Sequence, residues 1–160
     1  MAGNRATLEA IHQALIGPDG LIPAESVENI VEVLREVSEP DFICRMVGPD
    51  GQFVAEATGP EGFLSSWGDW TSPFEEFRIE VERTIEAGDQ LVDFVRQTAV
   101  TTRGGVPVET LGAGVWSFRD GRLAKAEFHL DREAALRSAG LDPALAGGAG
   151  QPDPGSSRNA

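Results

Sequence analysis

The chain has 160 residues, a length that suits one domain with a single hydrophobic core. Its 26 Asp and Glu outnumber 13 Lys and Arg, so a net charge of -13 repels phosphate backbones and anionic lipid, and neither nucleic acid nor membrane is expected as a partner. Cys44 is the single cysteine, which excludes an intrachain disulfide and a cysteine-based zinc site; no apolar run is long enough for a leader or a membrane span, and a cytoplasmic protein is expected.

The first predicted element is a helix over 7–16, with Leu8, Ile11 and Leu15 on one face and Gly17-Pro18-Asp19-Gly20 as its stop. A second helix follows Pro23, with Val27, Ile30, Val31 and Leu34 as its apolar stripe. Residues 41–47 read as a short strand ending at the turn Gly48-Pro49-Asp50-Gly51. Thr58, with Glu61 three residues on, has the spacing of a capping box and starts a third helix bearing Phe63, Leu64, Trp67 and Trp70. The period then changes from 3.6 to 2. Four strands are predicted over 77–86, 90–102, 106–118 and 123–130, with Asp120-Gly121 as a two-residue hairpin. Asp131 caps a last helix that Gly140 ends, and 142–160 reads as a disordered tail rich in Gly, Pro and Ser behind a single domain over 1–141. Helices followed by an antiparallel meander define an α+β protein.

Three segments carry a family resemblance: GPEGFLSSWGDW, FEEFRIEVERTIEAGDQLVDFVRQ and GVWSFRDGRLAKAEFHLDREAALRSAGL. In this order they resemble the SnoaL-like branch of the nuclear transport factor 2 superfamily, with the Asp-Gly hairpin and the LDREAAL and AGL that follow as the most specific part. The resemblance implies N-terminal helices packed in the concave face of a strongly curved, mainly antiparallel sheet, a short C-terminal helix, an apolar cavity and a homodimer through the sheet. Its relatives include ketosteroid isomerases, polyketide cyclases, scytalone dehydratase and limonene epoxide hydrolase, so the fold does not fix a reaction. No cofactor or metal is implied, and two distant histidines give no H-E-x-x-H spacing.

The family's enzymes do acid-base chemistry with polar groups facing a dry pocket. Alternation along 90–102 puts Phe94 and Arg96 together, and two apolar neighbours mark that face as the core side. Arg96 is then an anchor for a ligand oxygen, or the partner of a Glu on the next strand. Where limonene epoxide hydrolase reads Arg-x-Asp, this chain reads Arg96-Gln97-Thr98, which removes the carboxylate that epoxide hydrolysis needs. Asp93 is expected on the opposite, outer face. An inward Asp93 paired with His129 would form an acid-base relay, whereas an outer His129 would lie in solvent or at a dimer contact. His12 reads as a satisfied histidine of the core or pocket rim, and Glu109 as a weaker acidic candidate. Gly114 stands where a ketosteroid isomerase carries a protonated Asp; the pair Gly112 and Gly114 either bends the strand or leaves room for a ligand beside Trp116. The pocket implied by the resemblance takes in Phe42, Cys44, Trp67, Trp70, Phe94, Gly114, Trp116 and Phe128. Two readings stay open: a protein that binds a small apolar molecule and isomerises, cyclises, dehydrates or hydrolyses it, or a non-catalytic dimeric binding module with a degenerate pocket.

Overall fold

A computed structural model describes residues 3–16, 20, 26–48 and 53–146. Helix α1 (Gly3–Leu15) buries Leu8, Ile11, Ala14 and Leu15, the stripe expected from the sequence. Helix α2 (Ser26–Val37) buries Ile30, Val31 and Leu34. Of the turns expected at 17–20 and 48–51, residues 17–19 and 49–51 lie outside the described residues, as does 147–160.

Six strands form one sheet in the order β2-β1-β6-β5-β4-β3. Strand β1 (Ser38–Val47) pairs antiparallel with β2 (Phe53–Thr58) and parallel with β6 (Arg122–His129). Strands β3 (Phe74–Ala87), β4 (Gln90–Thr101), β5 (Pro107–Arg119) and β6 make the expected antiparallel meander. Pro40, which has no N–H for a ladder, lies where the β1–β6 register is interrupted between Ser38 and Ile43. The hairpin at Asp120-Gly121 has positive φ at both residues (53° and 80°), as a type I′ turn requires, and joins the pair Arg119 and Arg122.

Strand β2 escaped sequence reading because Ala55 and Ala57 give almost no apolar alternation. Helix α3 (Gly59–Thr71) starts after Thr58 as expected, but the Thr58 side chain caps nothing, so the capping box is corrected: Pro60 in the first turn and the extended Thr58 backbone start the helix instead. Helix α4 (Arg132–Ser138) is capped by the Asp131 carboxylate, which accepts from the Glu133 N–H at 2.9 Å. Its end is a Schellman motif: Gly140 at φ 77° donates to the Arg137 carbonyl, and Leu141 N–H donates to the Leu136 carbonyl. Residues Pro143–Ala146, the first part of the tail expected from Asp142, form a 3-10 turn in which Leu145 and Ala146 make apolar contacts beside α4.

The sheet is covered on both faces. Helices α1, α2 and α3 pack on the inner face with Leu91, Val95, Trp116 and Ala126. Helix α4 packs on the outer face, where Ala135 and Leu136 meet Val92, Phe94, Ala113 and Val115. Bulges in β3, between Glu75 and Arg78 and between Val81 and Arg83, bend the strand as they do in curved sheets.

Candidate functional site

Asp93 faces inward. This corrects the expected outer placement, and the reason is local: residues 91–95 are buried in succession, since both faces of β4 are covered, so alternation carries no sign there. The other face holds Phe94 and Arg96. Phe94 packs under α4 and is no part of the cavity. Arg96 donates to Glu82 at 3.0 Å and to Glu109 at 2.7 Å on the outer face, which overturns its placement on the core side. Glu109 and then Glu82, both carboxylates, raise the guanidinium's pKa further.

The Asp93 side chain, 2 % exposed as a residue, meets three donors from two elements, α1 and β5. His12 Nε2 on α1 lies 2.9 Å from Oδ2, the Trp116 indole N–H donates to Oδ2 at 3.1 Å, and the Gly114 backbone N–H donates to Oδ1 at 2.9 Å. A buried carboxylate is tolerated only when it is bonded in this way. A carboxylate accepts, so His12 Nε2 carries the proton of that bond and leaves Nδ1 without a partner among the described residues. The His12 ring stands edge-on to Trp116 at 6.0 Å.

These groups line a cavity on the inner face of the sheet. Leu15, Ile16, Ile79, Val81 and Val95 form apolar walls, and Trp67, Trp116 and Phe128 form aromatic ones. Phe128 sits 5.1 Å from Trp67 and 5.3 Å from Trp116, both edge-on, so the aromatic wall is a packed unit. Gln97 adds a polar group, four residues beyond Asp93 on the same face of β4. Mostly apolar lining with few placed polar groups is the usual makeup of a small-molecule site. Among the described residues, no group of three or more His, Cys, Asp or Glu lies together to hold a metal ion.

The model of the SnoaL-like domain family matches residues 27–126, well over half of the chain. The chain belongs to the SnoaL-like family. Similar solved structures share the fold at low identity. One, from Jannaschia sp. CCS1 and assigned as a SnoaL-like polyketide cyclase, has TM-score 0.59 and 18% identity, covering 80% of this chain and 87% of that one. A protein of Catenulispora acidiphila DSM 44928 with a ketosteroid isomerase-like fold, solved with trimethylamine, has TM-score 0.56 and 15% identity over 86% and 95% of the two chains. TerC, co-crystallised with polyporic acid, has TM-score 0.53 and 20% identity over 76% and 88%. No protein of curated function matches the chain.

The remaining residues of the SnoaL-like pocket expected from the sequence divide cleanly. Trp67, Gly114, Trp116 and Phe128 line the main cavity. Trp70 lines a smaller neighbouring one, together with Met46, Trp67, Gln97 and Phe128. Phe42 and Cys44 are fully buried core, the Phe42 ring tilted against Phe63 at 6.2 Å. Burial pushes the Cys44 thiol up to about 12, against a smaller opposing effect of a hydrogen bond with Ser66. His129 does not meet Asp93: it is buried on the outer face, neither in solvent nor part of a relay, with Nε2 3.2 Å from Glu127 Oε1. The hydrogen bond from His129 is the main cause that holds Glu127 down at about 2, opposed by burial and helped by Ser138 and Lys125.

His12 lies at the cavity, as expected of a satisfied histidine at the pocket rim, but its partner was not legible in the sequence. It sits 81 positions before Asp93, and a histidine between Leu8 and Leu15 on an amphipathic helix carries no sign of its partner. The signal present was negative: glycine at 114, opposite Asp93 in the register, leaves the space the carboxylate fills.

Proposed function

We propose that this protein binds a small, flat, mainly apolar molecule in the cavity and moves a proton on it without a cofactor, using His12 and Asp93. The Asp93–His12 hydrogen bond in the lining of an apolar cavity carries the reading. Asp93 fixes the ring with Nε2–H toward itself; Nδ1 is then the lone pair that takes a proton from an acidic C–H or O–H, and the carboxylate stabilises the imidazolium formed. The proton returns from Nδ1 to another atom of the same molecule, which suits isomerisation or cyclisation. Arg96, bound to two carboxylates outside, has no part in this step. His129 has none either.

Proton transfer is read directly with 2-tetralone in deuterated buffer, by NMR of deuterium entering beside the carbonyl. The wild type accelerates entry, and His12→Asn and Asp93→Asn each lower the rate by about a hundredfold or more. Equal rates in wild type and both variants overturn the proposal. They favour the alternative, a non-catalytic binding module. One observation supports that second reading: three donors saturate Asp93, as they would if it merely tied α1 to the sheet.

Pairing of two copies through the sheet belongs to the same proposal, with exposed Val106 and Leu111 supplying apolar contact beside and on β5. Light scattering that returns twice the 17.0 kDa of one chain supports it, and a monomer mass rejects it.

A further inference from the structure

The main cavity and its smaller neighbour share three wall residues, Trp67, Gln97 and Phe128. Two hydrogen-bond donors stand in that shared wall. The Trp70 indole N–H donates to Gln97 Oε1 at 3.1 Å. An indole nitrogen can only donate, so the orientation of the Gln97 amide follows from chemistry: oxygen toward Trp70, NH2 away from it. That NH2 group has no acceptor among the described residues. Trp67, itself 7 % exposed, has a fully buried indole N–H that also lacks an acceptor among them. Leaving a buried donor unpaired is unfavourable, and each such group in a folded protein calls for an explanation.

We propose that Gln97 and Trp67 form a neutral, donor-only subsite that binds an uncharged acceptor oxygen of the ligand, a ketone or quinone carbonyl, with Trp70 as the positioning residue that aims the Gln97 amide. The proposal rests on the cavity being a ligand site, as argued above, and adds which second group the ligand carries. Asp93 and Gln97 point inward from one strand four residues apart, so their backbones are separated by about 13 Å. The ligand therefore presents a proton-bearing group to His12 at one end and a carbonyl oxygen at the other, across an apolar body. An anionic acceptor is disfavoured because the subsite offers no positive charge and Asp93 lies in the same cavity.

The probes are 6-acetyl-2-naphthol and 6-isopropenyl-2-naphthol, which share shape and hydroxyl and differ in carbonyl oxygen against CH2. Binding is followed by quenching of tryptophan fluorescence, since Trp67 borders both cavities, Trp116 the main one and Trp70 the smaller. The wild type binds the ketone about tenfold more tightly. Gln97→Leu reduces the ratio to about one, and Trp70→Phe, which keeps the ring and deletes the N–H, reduces it. Asp93→Asn leaves the ratio intact, so this subsite is read separately from the proton-transfer end. Equal affinities in the wild type, or a tenfold ratio that persists in both Gln97→Leu and Trp70→Phe, overturn the subsite and leave the proton-transfer reading standing. Absence of binding by either naphthol overturns the subsite together with the ligand cavity.

Discussion

Gly114 and Asp93 face each other across β5 and β4, and the Asp93 carboxylate occupies the space a side chain at 114 would need. A Cβ there would come within 2.6 Å of Asp93 Oδ1 and 2.8 Å of Trp116 Nε1. The glycine thus brings its own N–H to the carboxylate and clears the inner face for it.

Gly114→Ala follows from that relationship. The carboxylate is pinned by three donors and cannot yield without losing one, so the substitution destabilises by about 1–3 kcal/mol. Urea unfolding measures it; a change under about 0.5 kcal/mol would show that Asp93 is not held there.

Acid unfolding reports Glu127. Its folded pKa is about 2, below the ordinary 4.5 of a glutamate, so its contribution is present above the unfolded pKa and is lost as pH falls toward 2. Glu127→Gln is therefore less stable than wild type at pH 7, by at most about 3 kcal/mol. The gap narrows between pH 5 and 2. A gap that is constant over this window disproves the assignment.

Cys44 is expected to be inert. A thiol held at about 12 by burial presents almost no thiolate at pH 8. A chromogenic disulfide reagent should titrate no thiol in the native chain and one in denaturant. Fast native labelling would mean that β1 and α3 open at that point.

Two arginines separate buried from exposed pairing. Arg132 is 9 % exposed, lies 4.8 Å from the centre of the Phe94 ring, and donates to the carbonyls of Gly112 and Val95 and to Glu82. Burial pushes the Glu82 pKa up, but hydrogen bonds from Arg132 and then Arg96 outweigh it and leave Glu82 lowered. Arg132→Met strands those acceptors and costs about 3 kcal/mol or more, whereas Arg96→Met at the exposed end costs under about 1 kcal/mol. Thermal or urea unfolding of the pair decides; similar losses would refute the distinction.

Truncation after Leu141 removes the ordered turn that follows α4. Leu145 leaves the cluster around Val92 and Phe94, and its carbonyl no longer accepts from Arg83 Nη1. A loss of about 1–2 kcal/mol is expected from the burial of one leucine side chain. An unchanged unfolding midpoint would show that the turn adds nothing.

The sequence by itself determined the fold class and the order of the elements other than β2 and the turn after α4. Period-3.6 stripes marked α1 and α2, Asp120-Gly121 required a tight hairpin, and Asp131 with Gly140 bracketed α4, because caps and turns depend on residues a few positions apart. Only the tertiary structure decided which side of β4 is inside. Leu91–Val95 are buried without interruption since α1 and Trp116 cover one face and α4 the other, and a strand apolar on both faces has lost the alternation that would orient Asp93 and Arg96. The His12–Asp93 pair was likewise out of reach of local reasoning: it joins the first helix to the fourth strand across 81 residues, a contact that packing creates and no spacing encodes.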